Sequence, residues 1–228
     1  MKTKKIALIL LSLVMAFSIV ACGKATDNNN ATDNKKTDDN GKGNTTVTAT
    51  PAEIEQKIAD AIGKDNYLCD TDIDKDWLQN SYQLDMSKVD SYVAKQNSIS
   101  SVNPDTVIIL KVKDGYADEA VKALNTSFAQ MVDYIRQYPF GTAKVLNARI
   151  YQSGNYVMYI LAGASYDGED SEAESKLAVS EYAKIDEAVK SVLKTLPKNS
   201  AVVPEDNGSA GGLTTSDDDG DMPMPGGN

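Results

Sequence analysis

The residues best suited to chemistry form an acidic loop in which every second position carries a carboxylate. These residues are Asp70, Asp72, Asp74 and Asp76. An EF-hand loop binds calcium through oxygen ligands at its first, third and fifth positions, with glycine at the sixth and glutamate at the twelfth. If Asp70 is the first position, Lys75 is the sixth and Ser81 is the twelfth, so the EF-hand pattern is absent. The four aspartates are therefore candidates only for a looser calcium site, and the alternative is a polar loop that caps the turn before Trp77.

The chain contains no histidine. Ser-His-Asp and Cys-His catalysis and every histidine-ligated zinc or iron site are therefore excluded. An enzyme built on this sequence would have to use carboxylates, serine, lysine or tyrosine. The segment from Ser171 to Lys176 contains serine and lysine, but it is typical of the solvated start of a helix. We expect no cofactor and identify no catalytic residue.

A second set of candidate residues is aromatic. Six tyrosines fall around a predicted hairpin and the helix end that faces it, namely Tyr134, Tyr138, Tyr151, Tyr156, Tyr159 and Tyr166. Four of them are the candidates for a ligand platform: Tyr138, Tyr151, Tyr156 and Tyr159. Such side chains can form an amphipathic platform for sugar rings or a peptide. The alternative is that they straddle core and surface, as tyrosines in strands usually do.

The N-terminus has the pattern of an export signal. Three lysines within the first five residues precede an uncharged, mostly apolar run over Ile6–Val20, which is too short to be a membrane-spanning helix. The run ends in Val20-Ala21-Cys22-Gly23, which resembles the lipobox of bacterial lipoproteins. In that family the cysteine becomes a lipidated N-terminus. We therefore expect residues 1–21 to be a signal peptide and acyl chains on Cys22 to hold the chain at the outer face of the cell membrane.

Charge and cysteine content constrain the exported chain further. The net charge is −10, and loss of the lysines in the signal peptide makes it more negative, which disfavours nucleic acid as a partner. Once Cys22 is lipidated, Cys69 is the one remaining cysteine, so no intramolecular disulfide can form. Cys69 is expected to be a small buried apolar residue.

Composition divides the mature chain into three parts. Residues 22–49 are dominated by small polar residues and cannot bury enough apolar surface to fold, so they are expected to form a disordered stalk. Residues 199–228 are expected to form a disordered acidic tail. Residues 50–198 form the single predicted domain, which is long enough for an independent hydrophobic core.

Three helices are predicted in this domain from apolar periodicity. The first begins at Thr50-Pro51-Ala52-Glu53, a capping box, and ends at Gly63. The second and third are long and amphipathic, over Tyr116–Gln137 and Ser171–Leu196. A short helical turn at Asp76–Asn80 is expected to bury Trp77 and Leu78.

Strands are predicted between these helices. Thr106–Lys113 is apolar on both faces, so it should be central in its sheet, and Ser91–Lys95 is a further candidate. Lys144–Tyr151 and Tyr156–Leu161 are joined through Ser153-Gly154-Asn155, a hairpin signal. The order α-β-β-α-β-β-α predicts an α+β fold with an antiparallel sheet of three to four strands, two long amphipathic helices and an N-terminal helix, the helices packed on one face.

Several of these segments resemble a known family. The pattern of Asp90–Ala94, Asp105–Asp114, Tyr138–Pro139 and Gly154–Val157 is similar to the uncharacterised domain of unknown function 4358, over about Ile54–Ala164. That family occurs in lipoproteins of low-GC Gram-positive bacteria. The resemblance implies the location and the fold, and it supplies no activity and no site residues.

Together these features predict a lipid-anchored extracytoplasmic protein that binds a partner at the membrane–cell wall interface without catalysis. The partner would be a protein or a cell-wall glycan. The alternative is a small hydrolase that acts on wall material with a pair of carboxylates.

Overall fold

The computed structural model describes residues 48–99, 103–138 and 141–206. The chain divides into two units, residues 1–44 and 45–228, and all described residues belong to the second. The predicted signal peptide, Cys22 and nearly all of the predicted stalk lie outside the described residues. Within the described ranges, the helices are too short or too polar to cross a membrane.

The described residues form five helices, five strands and one turn of 3₁₀-helix. The helices are α1 (Pro51–Ile62), α2 (Lys75–Asn80), α3 (Ala117–Ile135), α4 (Thr142–Leu146) and α5 (Ser171–Leu193). The strands are β1 (Thr71–Asp72), β2 (Val89–Gln96), β3 (Thr106–Val112), β4 (Arg149–Ser153) and β5 (Tyr156–Leu161). The 3₁₀ turn, Met86–Lys88, leads into β2.

Helix α1 begins as its sequence predicts. The amide of Glu53 donates to the Thr50 hydroxyl at 3.2 Å, and the Thr50 amide donates to the Glu53 carboxylate at 2.7 Å. These hydrogen bonds lower the pKa of Glu53 below its ordinary value. The helix ends at Gly63, whose φ of 84° favours glycine. The capping box therefore defines the start of the folded domain.

The five strands form one antiparallel sheet in the order β1-β2-β3-β5-β4. Strand β3 lies in the centre, where it pairs with β2 on one side and β5 on the other. The α+β fold, the central strand and the hairpin between β4 and β5 are confirmed. The count of strands is five because a two-residue strand, β1, pairs with the end of β2.

The prediction that the helices pack on one face of the sheet is wrong. Helix α3 packs on the face that carries Ile108 and Leu110, and α1 and α5 pack on the face that carries Val107 and Ile109. All four side chains are fully buried. Because alternate residues of a strand point to opposite faces, a central strand that is apolar throughout must be covered on both sides.

Among the predicted elements whose bounds differ in the structure, one strand and one helix are clearly shorter than expected. The strand expected over Lys144–Tyr151 begins only at Arg149, because Thr142–Leu146 forms the short helix α4. Gly141 precedes this helix with a φ of 81°, a conformation that favours glycine. Helix α5 ends at Leu193, so Leu196 is not part of its buried stripe and is 41% exposed.

The segment after α5 is hydrogen-bonded to the domain beyond the predicted boundary at residue 198. The Asn199 side chain accepts from the Ile150 amide at 2.9 Å, and the Asn125 side chain accepts from the Val202 amide at 2.8 Å. Arg136 donates to the carbonyl of Pro204 at 2.9 Å. Described structure therefore continues to residue 206, and the acidic remainder of the predicted tail lies outside it.

The close approach of Gly163 to α5 generates a first prediction. Gly163 has a φ of 118°, and a Cβ placed there would lie 3.0 Å from the Cβ of buried Glu181. Gly163→Ala should therefore lower the free energy of unfolding by about 1–3 kcal/mol from backbone strain, with a further cost from the clash. Urea denaturation followed by circular dichroism measures this change.

Gly154→Ala is the matched control, since Gly154 has a φ of 56° but nothing lies within 4 Å of an added Cβ. It should cost only about 1–2 kcal/mol, the penalty of the left-handed backbone. Equal losses in the two variants would contradict the close approach to Glu181.

Candidate functional site

An open groove of about 380 Å³ lies between α2, α3 and the end of the sheet at which β2 ends and β3 begins. Its walls are Trp77, Ser81, Tyr82, Gln96, Pro104, Thr106, Ser127, Gln130, Met131 and Tyr134. We call this surface the aromatic groove. Its volume is in the range of small-molecule and cofactor sites.

Trp77 is the most prominent side chain of the aromatic groove. The carboxylate of Asp74 caps α2 by accepting from the Trp77 amide at 2.7 Å. This short helix buries Leu78, and Trp77 points about 100° away around the helix axis. The expectation that Trp77 is buried is therefore wrong: its side chain is 54% exposed.

Two tyrosines at the end of α3 extend the aromatic surface. Helix α3 buries a stripe that includes Phe128, Val132 and Ile135, and Tyr134 falls outside it. Tyr134 is 38% exposed, and its ring centroid lies 5.0 Å from that of Tyr138, which is 49% exposed. An exposed aromatic pair of this kind is typical of a binding surface rather than of a core.

The polar groups of the aromatic groove are uncharged and partly unpaired. None of the lining residues is acidic or basic, although 25% of the chain is charged. In the described part of the chain, the side-chain amides of Gln96 and Gln130 have no hydrogen-bond partner, and both are at least partly exposed. The groove therefore offers flat apolar faces together with free neutral donors and acceptors.

A buried ion pair lies behind the groove at the entry to β3. Asp105, which is fully buried, pairs with the ammonium of Lys144, which is 7% exposed. Burial raises the pKa of Asp105 to about 6, although the nearby Lys144 acts in the opposite direction. Asp105 stands between Pro104 and Thr106, two residues of the groove wall, so the ion pair anchors that wall to α4.

A second, smaller cavity of about 150 Å³ lies on the other side of this ion pair. Lys144, Ser165 and Glu174 contribute polar groups to it, and Lys144 Nζ donates to Ser165 Oγ at 3.2 Å. Glu174 accepts from the Ala143 amide at 3.1 Å, which ties α5 to α4. A serine–lysine dyad needs a lysine with a free lone pair. Because Lys144 is ion-paired with Asp105, this arrangement fits a structural anchor better than a nucleophilic site.

The four tyrosines predicted to form a platform are not brought together. Tyr151 and Tyr156 are buried on the face covered by α1 and α5, whereas Tyr159 is buried on the face covered by α3. The hydroxyl of Tyr151 bonds to Asp186, and that of Tyr156 donates to the Ala49 carbonyl at 2.6 Å. Of the four, Tyr138 alone is exposed, and it lies beside the aromatic groove.

The predicted acidic loop is the polar capping loop that was the alternative to a calcium site. The carboxylate of Asp70 accepts from the amide and the hydroxyl of Ser98 at 2.7 and 2.8 Å. These bonds lower the pKa of Asp70. Asp74 is the N-cap of α2, while Asp72 and Asp76 are exposed. Among the described residues, no cluster of three acidic or cysteine side chains is arranged to hold a metal ion.

Cys69 is buried and unpaired, as predicted. Burial raises the pKa of its thiol far above the ordinary value, so the thiolate needed for nucleophilic attack is disfavoured. Cys22 lies outside the described residues, and its lipidation stays a prediction.

Sequence reasoning missed the aromatic groove and the ion pair. Trp77 and Tyr134 are far apart in sequence and come together only through packing. Asp105 and Lys144 are likewise remote, and the one local signal is an acidic residue placed directly before a strand that is buried on both faces.

Residues 64–162 match the family model described as Domain of unknown function (DUF4358), so this part of the chain is a DUF4358 domain. The resemblance identified from the sequence motifs is thereby confirmed for these residues. All residues that line the aromatic groove fall inside the match, whereas the smaller cavity also draws on α5 outside it. No curated protein and no solved structure matches the chain.

The buried ion pair generates a prediction about stability. Lys144→Met leaves the Asp105 carboxylate buried without its counter-charge, which should lower the free energy of unfolding by about 3–5 kcal/mol. The double variant Lys144→Met/Asp105→Asn removes both charges and should recover most of this loss. Urea unfolding of the three proteins at neutral pH measures the difference.

Lys176→Met is the matched control, because the Lys176–Glu172 pair is about three-quarters exposed and such pairs contribute little. It should leave the unfolding midpoint almost unchanged. If the single and double variants at the ion pair were equally unstable, the pairing of Asp105 with Lys144 would not be what stabilises this site.

The raised pKa of Asp105 gives a further prediction about pH. The pKa of Asp105 is about 6 in the folded protein and 3.8 ordinarily. Between these pH values, the folded protein keeps the proton on the Asp105 carboxyl, whereas the unfolded chain has lost it. The stability contributed by Asp105 is therefore complete below about pH 4 and is lost as the pH rises through about 6. Relative to the double variant, wild type should lose up to about 3 kcal/mol of unfolding free energy between about pH 4 and pH 7.

Urea unfolding across this pH range checks the prediction. The double variant is the correct reference because it lacks both ionisable groups of the pair. A pH-independent difference between the two proteins would show that Asp105 titrates in the folded state as it does in the unfolded chain.

Proposed function

We propose that this protein is a lipid-anchored extracytoplasmic binding module that captures a partner at the membrane–cell wall interface through the aromatic groove. The observation that carries the proposal is the exposure of the chain's one tryptophan, Trp77, in an uncharged groove that Tyr134 also lines. Large aromatic side chains are costly to leave in water, and an exposed group of them marks interaction sites.

The sequence of the N-terminus supports the location. A positive segment, a short apolar run and Ala21-Cys22-Gly23 together have the form of a lipoprotein signal. Acyl chains on Cys22 would supply membrane affinity at about 0.8 kcal/mol per buried CH₂ group. The groove would then face the space between membrane and wall.

Binding is favoured over hydrolysis by the chemistry of the groove. A glycosidase places two carboxyl groups on either side of the bond that it cleaves. The residues that line the aromatic groove contribute aromatic rings, amides, hydroxyls and a thioether, but no carboxylate. Such a surface can hold a ligand, while it lacks the acid and the base or nucleophile that a carboxylate-dependent hydrolase needs.

Living cells provide the test of this proposal. A fatty-acid analogue should label the wild-type chain and fail to label Cys22→Ala, because the thiol is the acyl acceptor. In the same cells, a photoreactive phenylalanine analogue in place of Gln130 should form a cross-linked product, because Gln130 is an exposed residue of the groove wall. Gel mobility and mass spectrometry detect both products.

Replacement of Tyr92 by the same analogue is the control. Tyr92 is 37% exposed, nearly as much as Tyr134, but it does not line the groove. Labelling of Cys22→Ala would contradict the lipid anchor. Equal cross-linking from positions 92 and 130 would contradict the groove as the binding surface.

A further inference from the structure

We propose that the ligand of the aromatic groove is an uncharged glycan, a chain of pyranose sugar rings, an inference that rests on the proposed function above. A glycan presents both a C–H face to aromatic rings and a rim of hydroxyls to polar side chains. Three features of the groove match these requirements: its lack of charge, its exposed aromatic side chains and its unpaired amides.

The lack of charged side chains distinguishes this groove from a site that binds an anionic or a cationic polymer. A site for phosphate- or carboxylate-bearing chains would be lined by lysine or arginine, and a site for a cationic partner would be lined by carboxylates. The groove has neither. The exposed Asp74, Lys75 and Asp76 precede Trp77 at the N-cap and in the first turn of α2, outside the lining. A lining without charged groups offers no ion pair to an anion or a cation, so a neutral ligand is the electrostatic match.

The aromatic side chains supply the stacking surface. Trp77 stands on α2 and Tyr134 on α3, so the two rings reach the groove from different elements. Tyr138 packs against Tyr134 and lengthens the exposed surface beyond the groove. The C–H face of a pyranose is apolar and its rim is polar, which suits aromatic side chains that have an apolar body and a polar tip.

The unpaired polar side chains supply the hydrogen bonds. The Gln96 and Gln130 amides each offer two donors and an acceptor, and exposed Ser81 adds a hydroxyl. The apolar non-aromatic part of the lining is small, with Met131 and Pro104 as its members. Arginine is enriched in protein–protein interfaces and is absent from this lining, so neutral amides and hydroxyls beside aromatic rings favour a sugar.

The test uses the full chain purified in detergent and its own tryptophan as the reporter. Because Trp77 is the one tryptophan, its emission reports directly on the groove. Neutral tetrasaccharides of glucose and of N-acetylglucosamine should shift or quench this emission saturably. A tetramer of galacturonic acid, a pyranose that carries a carboxylate on each ring, should bind at least about ten-fold more weakly.

Matched tyrosine variants test the stacking. Tyr134→Ala should weaken binding of the neutral sugars by about ten-fold or more, whereas Tyr134→Phe keeps the ring and should retain binding. Tyr92→Ala removes a tyrosine of nearly equal exposure outside the groove and should leave the affinity unchanged. Gln130→Ala should also weaken binding, because it removes a hydrogen-bonding group while Trp77 stays in place as the reporter.

Failure of this inference and failure of the proposed function give different results. If no neutral glycan binds, or if galacturonate binds more tightly than the neutral sugars, the proposal of an uncharged glycan ligand is contradicted. If a protein is then the cross-linked product at position 130, the groove remains a binding surface for another ligand. If the sugars bind equally well to Tyr134→Ala and to wild type, the groove is not where they bind.

Discussion

The structure depends on one constraint, the burial of β3 on both of its faces. Val107 and Ile109 point to one face and Ile108 and Leu110 to the other, and all four are inaccessible to solvent. Each such side chain contributes about 1.5–3 kcal/mol when it is removed from water. A sheet with this central strand needs helices on both sides, which α3 on one face and α1 with α5 on the other provide.

The entry to β3 is the point at which this core meets the candidate site. Asp105 pairs with Lys144 directly before the first residue of the strand, and its two neighbours in sequence, Pro104 and Thr106, line the groove. A buried ion pair is costly to form, but it has a single favourable geometry once both charges are enclosed. It therefore holds the groove wall in place relative to α4, and a rigid wall loses less conformational entropy when a ligand binds.

The groove arises because the α3 face of the sheet is covered incompletely at one end. Helix α2 covers this end but is only about one and a half turns long. It buries Leu78 and leaves Trp77 exposed to solvent. Elsewhere among the described residues, Tyr151, Tyr156, Tyr159 and Tyr182 are buried, and Tyr92 is the exposed aromatic residue outside this region. Exposure of Trp77, Tyr134 and Tyr138 within one region is thus a local exception, and it is the strongest structural reason to place ligand binding there.

Local features of the sequence predicted the parts of the structure that depend on residues close together in the chain. The capping box at Thr50, the amphipathic stripes of α3 and α5, and the hairpin before Tyr156 each need contacts only a few residues apart, and each is confirmed. The two-sided apolar pattern of β3 predicted its central place, although the helices on both faces that it requires were not inferred from it. The lipobox at Cys22 is also a local signal, and it lies outside the described residues.

The tertiary structure alone decided which side chains meet. A hydrophobic period shows which face of an element is buried, but it does not show which other element covers that face. Trp77 and Tyr134 face one groove, and Asp105 meets Lys144, because the sheet order and the packing of α2, α3 and α4 bring distant segments together. The sequence by itself determined the class of fold, the domain's first helix and the chemistry that the absence of histidine excludes. The position of the aromatic groove required the fold, because it is made from residues that no local pattern connects.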